Sequence, residues 1–385
     1  MKKILFVALI VSIAFGGYLA FTAFDSNTSV VNAAKAYNTT VYVAGHGGHF
    51  AKAEVTVDPN NTENPIKING DLDMVNIGTT VTHKTHDARI DSNDSNVLFW
   101  STYALDDKGK QHVGKSDLKT GDVIKDVAMD PDPRAPGKTG PLYCASGQSK
   151  NNYMPIFMGS EGYIDVLDKK TLEKKHRMFI SDIGYKAGTY MFVHGVNSND
   201  MKKFLVAVTM KGEDGKMNGK QDLIMVDNAA LDNGKWKVLY KTTLTGEPSK
   251  TITFRQYFST DDKLIFQAGG DRFYLLDASN LKIVDEKMTK PAYGENHDSM
   301  PSPDGKYALL TLRTSDTSGC DPEGKPVMDK EGKALKVTDG VLALYDVNAK
   351  KLVGKSVSVC FDCHKGMGKG DKNAVLCGLD ANWKK

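Results

Sequence analysis

Short apolar runs recur along this chain, each bounded by Ser, Asp, Asn and Gly, and no long stretch carries an apolar stripe of helical period. Val97-Leu98-Phe99-Trp100, Phe204-Leu205-Val206-Ala207-Val208, Leu264-Ile265-Phe266-Gln267 and Tyr307-Ala308-Leu309-Leu310-Thr311-Leu312 are such runs. Their length, their β-branched and aromatic content and their turn-forming flanks predict strands. A related signal precedes each: Ser92-Asn93-Asp94, Ser198-Asn199-Asp200, Ser259-Thr260-Asp261 and Ser302-Pro303-Asp304. These side chains bond to nearby backbone and accept the dihedral angles of tight turns. A second run then ends in Asp, as in Tyr163–Asp168, Leu223–Asp227, Phe273–Asp277 and Leu342–Asp346, and a third follows, as in Leu352-Val353-Gly354-Lys355.

The runs therefore repeat as units, starting near residues 82, 140, 186, 250 and 293. Four-stranded units of this period predict the blades of an all-β propeller. Val41–Asn69 supplies three more strands without a first one, and Asn373–Trp383 is placed to supply it, closing the ring with the C-terminal segment. The expectation is six blades, or seven if the C-terminus forms a partial blade of its own. Through its Ser-Pro-Asp-Gly-Lys-type turns the chain resembles the broad class of WD40-like and YVTN-type propellers. Exported relatives in that class include the d1-haem domain of cytochrome cd1 nitrite reductase and the propeller of nitrous oxide reductase. The resemblance implies architecture, not function.

Charge changes little in this picture. Fifty basic and 47 acidic residues in 385 leave a net charge of +3, well mixed along the chain, which gives no reason to expect a nucleic-acid partner. The N-terminus stands apart: Lys2 and Lys3 precede an apolar run from Ile4 to Phe24, and Val31-Asn32-Ala33-Ala34 offers small residues for cleavage. Residues 1–34 are read as a signal peptide or an N-terminal membrane anchor, since about 20 apolar residues can span a bilayer. Residues 35–385 then form the propeller in the periplasm or another extracytoplasmic space, soluble or tethered by that segment.

One motif names a chemistry. Cys360-Phe361-Asp362-Cys363-His364 is the C-x-x-C-H pattern that attaches c-type haem, two thiols bonding the porphyrin and the histidine binding iron. Residues 356–385 would thus carry one covalent haem c as well as the closing strand. The alternative is a local disulfide, a redox pair or, with Cys377, a metal site. Of the five cysteines, Cys144, Cys320 and Cys377 lie outside the motif, so at most one disulfide forms among them. Too few residues follow His364 to wrap a haem, so the pocket must come from the propeller.

Aligning the units on their turns brings histidines into register. His86, His194 and His297 precede the Ser-containing turns at Ser92, Ser198 and Ser302, Arg255 holds the same place before Ser259, and His364 precedes Gly368-Lys369-Gly370-Asp371. In a propeller that position is the start of an innermost strand, at one mouth of the central channel. His83 is a further candidate, and His46 and His49 fall in a strand connection. The plain alternative is that each imidazole bonds a neighbouring strand and steadies its blade. Imidazole is also a common metal and axial haem ligand. His112 and His176 are expected at the surface, Lys211–Lys220 as a long loop, and no carboxylate pair stands out. Three functions follow: an exported c-type cytochrome passing electrons to redox protein partners, a propeller oxidoreductase with His-bound copper or an open haem site acting on a small inorganic molecule, or a non-catalytic subunit scaffolding a redox complex.

Overall fold

In a computed structural model the described residues are 34–45, 49–76, 85–102, 105–135, 143–159, 161–290, 294–314, 339–359 and 376–383. They belong, from residue 36 onward, to one compact unit spanning Ala36–Lys385. Its strands form six four-stranded antiparallel sheets. The first contains β1 (Tyr37–Gly45), β2 (His49–Val57) and β3 (Ile66–Asn76). The second is β4 (Thr85–Ile90), β5 (Val97–Thr102), β6 (Gln111–Asp117) and β7 (Val123–Met129). The third is β8 (Tyr143–Gln148), β9 (Asn152–Phe157), β10 (Tyr163–Asp168) and β11 (Lys174–Phe179). The fourth is β12 (Tyr190–Asn197), β13 (Lys203–Lys211), β14 (Met217–Asp227) and β15 (Val238–Thr245). The fifth is β16 (Gln256–Phe258), β17 (Leu264–Ala268), β18 (Arg272–Asp277) and β19 (Ile283–Met288). The sixth is β20 (Glu295–Pro301), β21 (Tyr307–Thr314), β22 (Asp339–Asp346) and β23 (Lys351–Ser358), and β24 (Leu376–Trp383) closes the first.

This is a six-bladed β-propeller. β24 lies antiparallel to β1, with Val43 opposite Leu379, Tyr42 opposite Asp380 and Val41 opposite Ala381. The C-terminal segment therefore supplies the innermost strand of the first blade, as the strand count required, and there is no seventh blade among the described residues. Strands β4, β8, β12, β16, β20 and β24 neighbour one another around the axis.

The apolar runs fail to alternate because both faces of the inner strands are covered. β9 is buried at every position, whereas the outermost β7 is exposed or half-buried throughout. One apolar core fills each junction between blades. Phe99 of the second blade stacks on Tyr153 of the third, ring centroids 4.6 Å apart, and Ile156 and Phe204 belong to the core between the third and fourth. The core joining the sixth blade to the first holds Leu309 and Leu342 with Val41, Val55 and Leu379. Each such side chain, fully buried, contributes about 1.5–3 kcal/mol. Ring closure thus rests on side-chain burial as well as on strand pairing.

The turns behave as their composition predicts. Ser302 donates to Asp304 (2.8 Å) while accepting from the Tyr307 amide (3.1 Å), and Ser259 does the same with Asp261 (2.7 Å) and Leu264 (2.9 Å). The residue three after each serine, Gly305 or Asp262, is left-handed, with φ of 69° and 57°. Lys211–Lys220, expected as a loop, is instead a hairpin in which Lys211 faces Met217 across β13 and β14. Its Gly and Asp residues mark one tight turn rather than an excursion.

Candidate functional site

In each antiparallel blade the first and third strands run one way and the second and fourth the other. Hence β23 ends, and β24 begins, on the face of the ring where the innermost strands start. The chain between them carries Cys360, Cys363 and His364, which lie outside the described residues. Beneath that face, the starts of β12, β16 and β20 bring three predicted residues together: His194 and His297, each 0% exposed, and Arg255, 1% exposed. These three residues stand close together, buried near the axis rather than open at a channel mouth.

Phe254 is the packing centre of this group. Its ring centroid stands 4.4 Å from that of His297 and 6.0 Å from that of His194. The Arg313 guanidinium lies 5.0 Å from it. The Arg255 amide donates to the His297 carbonyl (3.0 Å), so the fifth and sixth blades are tied at this level.

Sequence reasoning missed the residue that organises the cluster. Asp298, 0% exposed, places Oδ2 2.7 Å from His297 Nδ1. Its Oδ1 stands 3.3 Å from Arg255 Nε, an ion contact, and accepts from the Leu379 amide at 3.2 Å and from the Tyr257 hydroxyl at 3.4 Å. Thr311 donates to Oδ2 at 3.2 Å. One carboxylate thereby joins the fifth, sixth and first blades. Burial acts to raise the Asp298 pKa, but the charge of Arg255, the His297 imidazole and the Leu379 amide outweigh it and hold the carboxyl well below the usual range. The His-Asp pair in the sequence was the available signal.

The histidines are neutral. Burial lowers His194 to about 3, with His297 pushing the same way. Burial and the Arg313 charge lower His297 to about 4 against the pull of Asp298. An ionised carboxylate only accepts, so His297 donates from Nδ1, and Nε2 carries the lone pair. That Nε2 is buried and has no hydrogen-bond partner among the described residues. A histidine held at one nitrogen by a carboxylate, with the other free, has the arrangement typical of metal-binding histidines.

The other predicted residues divide. His86 sits in β4, opposite Ser101, and His49 opens β2 rather than lying in a connection; the side chains of both lie outside the described residues. His83 and His46 lie wholly outside them. His364 and the Gly368–Asp371 turn lie outside the described residues, and the innermost strand of the first blade is described from Leu376. In that strand Gly378 faces the cluster: a Cβ there would stand 2.2 Å from Arg255 Nη1, so glycine makes room for the guanidinium. Cys144 and Cys377 lie in β8 and β24 with side chains outside the described residues, as is all of Cys320. His112, expected at the surface, is buried between Asp126 (2.8 Å) and Asp106 (3.1 Å), a carboxylate pair brought together by β6 and β7 and the preceding turn. His176 is exposed as expected. Among the described residues no three His, Cys, Asp or Glu form a metal cluster.

No family model matches the chain, and no curated protein matches it. Solved structures do. The chain is similar to one in the crystal structure of a nidogen/laminin complex, with 10% identity, a TM-score of 0.51 and coverage of 89% of this chain and 98% of that one. It is also similar to a chain of Kuenenia stuttgartiensis hydrazine synthase, with 15% identity, a TM-score of 0.44 and coverage of 73% and 67%, and to the Dos1 propeller, with 12% identity, a TM-score of 0.43 and coverage of 80% and 67%. At these identities the likeness speaks to fold alone: the chain is a β-propeller.

Proposed function

We propose that this protein is an exported c-type haem protein that transfers electrons, with the propeller as haem pocket and docking face. The reading rests on His297: a neutral, wholly buried imidazole whose Nδ1 is held by Asp298 and whose Nε2 has no hydrogen-bond partner among the described residues. It lies beneath the face at which the chain carrying Cys-x-x-Cys-His leaves β23 and enters β24. The residues suit the group. Cys360 and Cys363 would form the thioether bonds, His364 would bind the iron, and His297 has the donor chemistry of a second imidazole ligand. When bound, haem supplies one-electron transfer. The chain's own part is to keep His297 neutral and oriented through Asp298 and to hold the Arg255 charge beside that pair.

Copper at the histidine cluster is the less supported alternative, because Phe254 lies between the two imidazoles and Arg255 adds positive charge beside them. Expression with haem-maturation machinery decides. A covalent haem with c-type Soret and α bands, one iron per chain and no copper is the expected result; Cys360→Ala with Cys363→Ala should abolish it. His297→Ala should convert a low-spin spectrum to high-spin. A colourless protein would overturn the reading, and stoichiometric copper would favour the oxidoreductase.

A further inference from the structure

The opposite end of the axis holds a cavity of about 270 Å³ that the haem reading does not use. It is formed where the innermost strands end, so each of the six blades contributes to its wall. Most polar groups there are already engaged. Gln148 bridges the second and third blades by accepting from the Ser92 amide (3.0 Å) and donating to the Ile90 carbonyl (3.0 Å). Asp91 is neutralised by the buried Lys169 ammonium at 2.6 Å. Asp380 accepts from the Ile90 and Ala381 amides at 2.8 and 2.9 Å, and burial raises its pKa against the pull of Arg89.

Arg89 is the exception. It lines the cavity from β4, is only 5% exposed, and its Nε has no hydrogen-bond partner among the described residues. Its guanidinium lies 5.2 Å from the centre of the Tyr257 ring, and no carboxylate among the described residues forms an ion pair with it. A planar donor fork in that position calls for an oxyanion. The rest of the wall says which kind. Tyr257, Phe258, Met300, Val196 and Trp383 present apolar and aromatic surface, while the Asp380 carboxyl disfavours a second negative charge. We infer that this mouth binds a small organic monocarboxylate, its charge on Arg89 and its apolar body against Tyr257, Phe258, Met300 and Trp383.

The inference is independent of the haem. Titration calorimetry of the whole exported protein with benzoate as probe should give saturable binding at millimolar concentration or below. Arg89→Gln should weaken it by about tenfold or more, and Arg89→Lys by less, through loss of the paired donors. Inorganic phosphate should bind more weakly than benzoate, since it brings extra charge and no apolar body. Where Arg89→Gln fails to fold, Thr260→Trp decides: it fills the mouth from an exposed turn and should abolish benzoate binding. Wild-type protein that gives no saturable heat with benzoate, phosphate that binds as tightly, or either variant that folds and binds like wild type overturns the assignment.

Discussion

Arg255→Met tests whether the axial ion contact holds the ring together. The substitution keeps much of the side chain's volume while removing a charge 1% exposed and 3.3 Å from Asp298 Oδ1. Asp298 would keep His297 Nδ1, the Leu379 amide and Thr311 as hydrogen-bond partners, so it would not be stranded completely. It would nevertheless be an ionised carboxylate at 0% exposure with no cation in contact. Removing one partner of a buried pair costs about 3–5 kcal/mol. Asp298→Asn leaves the converse problem, a buried guanidinium beside a neutral amide, and is expected to cost a similar amount. The double variant removes both charges, so its loss should fall short of the sum by about 1–3 kcal/mol, the coupling expected of contacting groups. Urea unfolding at pH 7, followed by far-ultraviolet circular dichroism, measures all four proteins. Strict additivity, or an Arg255→Met loss below about 1 kcal/mol, would refute the argument that this contact carries stability.

Acid should destabilise the propeller before its carboxylates protonate. His194 and His297 titrate at about 3 and about 4 when folded, below the ordinary value of 6.5. Their unfolded forms take up protons below that value and the folded forms do not, so stability is present above it and falls as pH drops toward the folded values. Each histidine contributes about 1.4 kcal/mol per pH unit over that window. Haem-free protein should therefore lose urea resistance between pH 7 and pH 5, and His194→Gln should flatten the slope; unchanged midpoints would count against burial of neutral imidazoles. Gly378→Ala places a Cβ 2.2 Å from Arg255 Nη1 and should cost about 1–3 kcal/mol by overpacking. A shift in thermal midpoint measures it, and a wild-type midpoint would mean that the guanidinium moves aside freely.

Much of the architecture was legible because a propeller blade is a local object. Each strand pair is joined by a short turn, and turns such as Ser302–Gly305 announce themselves through residues that bond their own backbone. Closure was legible by subtraction, since the first three strands lacked a partner. The register of His194, Arg255 and His297 was legible for the same reason: equivalent positions in a repeat point to equivalent places on the axis. Asp298, Tyr257, Asp380 and Arg89 were not. Their importance comes from which strands of different blades meet, as when Asp298 receives the Leu379 amide from a strand 81 residues away in sequence. The only local mark of this aspartate is the histidine before it; its partners on other blades leave no trace near it in the sequence.

The position of the Cys-x-x-Cys-His sequence also has a structural logic. Connections between blades vary in length: β19 ends at Met288 and β20 begins at Glu295, whereas β7 ends at Met129 and β8 begins only at Tyr143. Between the end of β23 at Ser358 and the start of β24 at Leu376 the chain is longer still, and the Cys-x-x-Cys-His sequence falls within that stretch. An insertion there interrupts no blade, because it precedes a strand that pairs with the first blade regardless of how it arrives. It is also tied at its far end directly to the axial network, through the Leu379 amide on Asp298 and the room left by Gly378 for Arg255. A change at the proposed haem site and a change in ring closure would therefore act on the same carboxylate. On this argument, shortening the connection by deleting residues between His364 and Leu376 should alter the spectrum and the stability together, whereas an equal change in the β21–β22 connection should alter neither.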